Sequence, residues 1–310
     1  MMAMVLPSLA YAPPRSRRTR STALFVVLGL SVVCIVWVVL IFRIWASPVK
    51  FEVEEAEALT TFIVRSLGDA LPEPPETVKE SGLIYIFGFS ETDDNVHSVS
   101  AGVSRAYSDL ITAGHSKSQV KVLMFDVLND GSHQDTLERR LPNYSGSKKM
   151  LRIIRSGRTW SSAGTEHDMN IANPPEYPDD FDIHPWKHST IHTLREAKAA
   201  VNICRSNSAK ALVIVATPFH LPRCLLTTLS VATQSDPHLR VYSRPGDPLR
   251  WDETVAHSQG DLVGDRESLL ESEMERMFVY HQKGDLMEPS DALEALRKRD
   301  RRSKEAILGR

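Results

Sequence analysis

Between Ala23 and Phe42 the chain runs twenty residues without a charge, ALFVVLGLSVVCIVWVVLIF. At helical rise such a run spans a hydrocarbon core of about 30 Å, so residues 23–45 are predicted to form a transmembrane helix. A cleaved signal peptide has a shorter apolar region, about 7–15 residues, which favours a retained signal anchor; Ala46 and Ser47 keep cleavage as the alternative. Arg15, Arg17, Arg18 and Arg20 precede the run, and Glu52, Glu54, Glu55 and Glu57 follow it. The positive flank stays in the cytoplasm. Residues 1–22 are therefore expected to be a cytoplasmic tail, the bilayer a partner, and the main domain extracytoplasmic, whether lumenal, periplasmic or at the cell surface.

Beyond the apolar run, Ala56, Leu59, Ile63, Leu67 and Ala70 keep a helical period, predicting a juxtamembrane helix. Pro72, Pro74 and Pro75 then read as a stiff linker, so residues 46–80 precede the domain proper. Within residues 81–285 strands and helices alternate. Gly82 to Phe89 reads as a strand, and Val99, Val103, Ala106, Leu110 and Ala113 as a helix. Gln119 to Val127 is a second strand. Residues 131–187 are polar and weakly periodic, with only Met150 to Ile154 resembling a strand, and form a predicted insertion or lid.

From Thr193 a helical pattern returns through Leu194, Ala197, Val201 and Cys204. The wholly apolar Ala211 to Ala216 follows, then Pro222 and the stripe Leu225, Leu226 and Leu229. An all-apolar run is the mark of a parallel strand buried on both faces. Leu239 to Ser243 is a further strand, Asp265 to His281 a helix, and the charged residues 286–310 a peripheral tail. This alternation predicts an α/β fold, a Rossmann-like three-layer sandwich with a mostly parallel sheet.

The 37 basic and 39 acidic residues nearly balance, and setting aside the amino-terminal arginines leaves the rest acidic. Nucleic acid is not an expected partner. Of three cysteines, Cys34 lies in the apolar run, leaving Cys204 and Cys224, read as small packing residues. Asn143 opens a glycosylation sequon. There is no Walker loop, nucleophile elbow, His-Glu-x-x-His or Gly-x-Gly-x-x-Gly pattern, and the sequence names no cofactor.

Open parallel sheets bind ligands beyond the carboxyl ends of their strands, where Thr217, His220 and Arg223 would sit. An arginine in a helix's first turn opposes the macrodipole and calls for an anion or a carboxylate nearby. Arg223 is the expected anion clamp, His220 and Glu196 the expected catalytic residues, and Thr193, Thr217, Ser90 and Asp126 further ligand contacts; Asp130 is a weaker one. The alternative is that Arg223 pairs with a neighbouring acid and His220 bonds its own loop. Thr193 and Glu196 also fit a capping box. His184, His188 and His192 have zinc-binding spacing if they share a helix, but Pro185 counts against it and no metal is expected. Asp180 and Asp182 form an Asp-x-Asp pattern of the kind that holds a cation in membrane-anchored glycosyltransferases, a minor alternative.

Ser189 to Ala197 and the segment ATPFHLPR resemble the YdcF-like family, which includes the bacterial SanA and ElyC envelope proteins. The likeness carries Thr193, Glu196, His220 and Arg223, and more weakly Arg105, Ala106, Leu110, Arg266, Glu267, Glu275 and Tyr280. It implies a Rossmann-type domain, often membrane-anchored, linked to envelope or surface-polysaccharide processes with no agreed reaction. The chain departs from the family after the first strand, where Gly88 replaces a glycine cluster, and after the second, where Asp126 to Gly131 replaces Ser-Gly-Gly. The expected function is binding of a small anionic ligand, nucleotide-like or sugar-phosphate; the alternative is a non-catalytic interaction domain.

Overall fold

The computed structural model describes residues 53–72, 82–89, 91, 92, 95–126, 149–151, 153, 154, 158–160, 166–168, 181–185, 192–257 and 262–307. The predicted membrane helix, Ser90, Asn129, Asp130, Asn143, Asp180, His188 and the side chain of Asp126 lie outside them. Among the described residues no helix is long and apolar enough to cross a membrane. The chain divides into two units, Met1–Ala56 and Glu57–Arg310, and the second holds the sheet.

Five parallel strands form that sheet: β1 (Ile84–Gly88), β2 (Val120–Asp126), β5 (Asp182–Pro185), β6 (Ala211–Ala216) and β7 (Arg240–Pro245), in the order β5-β2-β1-β6-β7. This is the Rossmann-like α/β order, in which the chain works outward from β1 to one edge and then returns to the other side. Register aligns Ile84 with both Val120 and Ala211. All six residues of β6 are fully buried, as its uninterrupted apolar sequence requires.

Alternate side chains along the strands face opposite layers. Ile84, Ile86, Val122, Val213 and Val215 pack with α2 (Val96–Thr112) through Val99, Val103, Ala106 and Leu110. Gly88 lets the helix pack close, since a Cβ on it would lie 3.0 Å from side-chain atoms of Val99 and Met150 and press them aside. The other face lies under α3 (Thr193–Ser206) and α4 (Leu221–Ser235), which bury Ala197, Ala200, Val201, Leu225 and Leu229. Cys204 and Cys224 are free and buried there, and burial pushes both thiols up.

Several expectations are corrected. Residues 149–151 and 153–154 are helical, because Met150, Ile153 and Ile154 have the i, i+3, i+4 spacing of one helix face. The insertion also supplies an antiparallel pair, β3 (Arg158–Trp160) with β4 (Glu166–Asp168), and the edge strand β5. A second hairpin, β8 (Thr254–Ala256) with β9 (Val263–Asp265), precedes α5 (Arg266–Gln282). The charged carboxyl end is not a peripheral tail: α6 (Pro289–Ile307) buries Ala292, Leu293, Leu296 and Arg299. The helix expected after the apolar run is present as α1 (Val53–Leu67), and its Leu59, Phe62 and Ile63 are buried.

Candidate functional site

The strand order reverses between β1 and β6, and a parallel sheet opens its ligand crevice beyond the carboxyl ends at that point. Two loops meet there. Glu91 lies three residues past β1, while Thr217 and His220 lie between β6 and α4. Pro222 stands in the first turn of α4, where its missing N–H costs nothing, and it fixes the turn that presents Arg223.

The side chains form one buried network. Glu91 Oε1 accepts from Thr217 Oγ1 and pairs with His220 Nδ1, each at 3.1 Å. Arg223 Nη2 lies 3.0 Å from His220 Nε2, and Nη1 donates to Thr193 Oγ1 at 2.9 Å. A guanidinium only donates, so Nε2 accepts and the His220 ring proton sits on Nδ1, facing Glu91. Thr193 Oγ1 approaches the same Nε2 at 3.4 Å.

Arg223 finds its countercharge in Glu273, on α5. Its Nε donates to Glu273 Oε2, and its Nη2 to Oε1 at 3.1 Å. His257, just past β8, places Nε2 against Glu273 Oε1. Glu91, Thr193, Thr217, His220, Arg223, His257 and Glu273 are all buried. Burial works to raise the Glu273 carboxyl, but the Arg223 charge and the hydrogen bonds from His257 and Arg223 outweigh it and hold the group well below the usual carboxylate range. Burial likewise acts to lower the Arg223 guanidinium, and Glu273 reverses it. The His257 imidazole is pushed down, chiefly by burial.

The compensating acid called for by Arg223 is thus a carboxylate of the chain itself, and Arg223 directs its hydrogen bonds inward. Thr193 joins the network from the first turn of α3, but not as half of a capping box. His192 is the cap, its Nδ1 accepting from Leu194 N at 3.2 Å, which frees the Thr193 hydroxyl for Arg223. Glu196 is buried one turn further along α3, and the residue that orients Arg223 is Glu273. Sequence reasoning passed over Glu273 and His257. The available signal was a carboxylate inside an apolar stripe, four residues after Leu269 and four before Met277, all three buried.

Around the network, His192 is held below its ordinary pKa by burial first and then by Arg223 and Arg195, with Arg276 adding to the effect. Arg276 also faces Glu273, at 3.8 Å. Tyr280 packs edge-on against His192, with ring centroids 5.9 Å apart. Arg266 is buried too, forking onto Asn95 Oδ1 at 3.2 Å and pairing with Glu253 at 2.6 Å. Arg105 pairs with Asp247.

Two other patterns fall elsewhere. Asp182 opens the edge strand β5, two strands out from β1 and level with Leu123 and Phe87. Its carboxylate turns to Tyr85 Oη at 2.6 Å and His184 at 2.8 Å and not to the network, and Tyr85 Oη in turn accepts from Asn207, just past the carboxyl end of α3. His184 belongs to β5 and His192 caps α3, so these histidines share no helix face.

A scan against protein-family models finds no family that matches the chain, and a search of curated proteins finds no match. The functional reading therefore rests on how Glu91, Thr193, Thr217, His220 and Arg223 meet at the β1–β6 switch point.

Proposed function

We propose that this chain is a membrane-anchored, YdcF-like α/β protein whose extracytoplasmic domain binds a small anionic ligand, nucleotide-like or sugar-phosphate, at the carboxyl ends of β1 and β6. The observation that carries the reading is the convergence of two carboxylates, two imidazoles and an arginine at the switch point of the sheet. Buried ionic groups rarely improve on apolar packing in stability, so seven polar residues buried where α/β folds bind ligands point to use rather than packing. The anion itself suits the positive rim of Arg195, Arg276 and the amino end of α3, because Arg223 is occupied by Glu273. His220 is the group that joins Glu91 to Arg223 at the centre of that site.

The test is thermal melting of the full-length chain against a panel of nucleoside monophosphates, nucleoside diphosphates and sugar phosphates. A ligand present at a hundred times its Kd stabilises the folded state by about 2.7 kcal/mol. His220→Gln should fold and lose most of that shift. If no compound moves the wild-type melting temperature, the second reading takes over: an interaction domain with a closed, structural network, favoured by the inward use of every Arg223 contact above. Topology is checked separately by protease added to the cytoplasmic face of sealed membranes. The reading requires the domain to survive, and digestion overturns the extracytoplasmic placement.

A further inference from the structure

Glu91 occupies an unusual position in the network. It is 1% exposed, and its Oε1 receives both Thr217 and His220. Its Oε2 is buried and, among the described residues, has no hydrogen-bond partner. A dry carboxylate oxygen is costly, and native proteins keep such atoms where something else completes them. The position is also the one the fold reserves for ligands, immediately past β1 at the switch point.

What can complete Oε2 is narrowed by its neighbours. The Nδ1 proton of His220 is directed at Oε1, and its Nε2 accepts from Arg223. The guanidinium of Arg223 is engaged with Glu273, Thr193 and His220. Among the described residues, the groups facing Glu91 thus offer a phosphate no donor, and the carboxylate repels it, so a ligand group that donates is the match.

We propose that Glu91 Oε2 accepts a hydrogen bond from a hydroxyl or amine of the ligand, so that the ligand's polyol or amino end, not its anionic end, enters the switch point. The proposal rests on the ligand-binding reading and gives the ligand a direction: donor end inward at Glu91, anionic end outward at the positive rim. Next to Glu91, Thr92 Oγ1 donates to Ala256 O at 3.2 Å and Asn95 Nδ2 to the same oxygen at 3.5 Å, which ties β8 to this loop.

The experiment compares adenosine 5′-monophosphate with its 2′,3′-dideoxy analogue, and glucose 1-phosphate with inorganic phosphate, by thermal melting of the full-length wild-type chain and of Glu91→Gln. Glutamine keeps an acceptor for Thr217 and His220 but removes the orphaned carboxylate oxygen. A hydroxylated probe should shift the wild type more than its partner lacking the hydroxyls. In Glu91→Gln that preference should disappear, with affinity for the hydroxylated probe down at least about tenfold, since the lost bond is to a charged acceptor. The ligand-free variant should fold, because the amide oxygen still accepts from Thr217 and His220; the amide NH2 in place of Oε2 brings donors of its own, so the probe preference and not the melting temperature reads the assignment.

Equal preference in the two proteins overturns the assignment of Glu91 while leaving ligand binding intact. If no probe shifts the wild type, the binding reading fails and this proposal falls with it.

Discussion

Glu273→Ala is expected to lower folding stability by about 3–5 kcal/mol, the usual cost of removing one partner from a buried ion pair. Arg223 would be left as a cation in the interior with only Thr193 and His220 around it, and His257 would lose its acceptor. For a domain of this size each kcal/mol moves the melting temperature by roughly 2–4 °C, so the loss is about 6–20 °C. Replacing both charges with apolar residues, Glu273→Leu with Arg223→Met, should recover most of it, because the penalty comes from the unpaired ion and not from the missing bond. A single variant that melts like the wild type would mean that the pair is open to solvent.

The same residue predicts an acid dependence. Its folded pKa lies below the value near 4.3 of an unfolded glutamate, so its contribution is fully present above that value. As pH falls through 4.3 the unfolded chain takes up the proton first, and the contribution drains away until the folded carboxyl also titrates. The gap between wild type and Glu273→Ala should therefore be full at pH 7 and shrink steadily below about pH 4. A gap that stays constant down to pH 3 would contradict an ionised Glu273 in the folded state.

How much of this was legible in the sequence depends on whether a residue's role is local. β1 and β6 announce themselves because strands buried on both faces carry no polar residue. His220 and Arg223 stand out because Pro222 marks the helix start that presents them. Their partners are remote: Glu91 lies 129 residues from His220, and Glu273 lies 50 from Arg223. Nothing in spacing or composition connects them. Glu91 is followed closely by Asp93 and Asp94, so nothing singles it out among its acidic neighbours, and His257 follows a strand of only three residues. The edge strand β5 escaped for a related reason. It pairs on one side only, and its Asp182 and His184 interrupt any apolar signal.

The charged carboxyl end was misleading in a more instructive way. Arg299 looks like one of a run of solvated arginines, yet it is 5% exposed and anchors the far edge of the sheet. Its guanidinium lies 4.2 Å from the centre of the Tyr242 ring and donates to Val241 O at 2.7 Å. Beside the apolar stripe of Ala292, Leu293 and Leu296, it is Asp69 that explains why an arginine is buried here, and Asp69 comes from the opposite end of the domain.

Asp69→Ala is accordingly the second change expected to be severe, again by about 3–5 kcal/mol, for a separate set of contacts. The Asp69 carboxylate accepts from Arg299 Nη1 at 2.7 Å and Nη2 at 2.6 Å, and from the backbone N–H of Ser243 at 3.0 Å; Arg65 lies 3.0 Å away. Ser243 belongs to β7, the edge strand, so Asp69 satisfies an edge donor that would otherwise be buried and unpaired. One carboxylate thus ties α1, β7 and α6 together, and Ser243 Oγ adds a bond to Ser66 O at 2.7 Å. Burial works to lower the Arg299 guanidinium, and the hydrogen bonds and charge of Asp69, followed by those of Asp300, more than offset it, so removing Asp69 leaves the buried cation with Asp300, whose Oδ1 accepts from Nε at 2.9 Å and Nη2 at 2.7 Å. Asp69→Asn, which keeps an acceptor for Ser243, should fall between wild type and alanine. Because these contacts lie at the β7 edge and not at the β1–β6 switch point, any ligand-induced shift should survive in both variants below their melting temperatures. Loss of ligand response in Asp69→Asn, with the fold intact, would show that the edge cluster and the switch point are coupled and not independent.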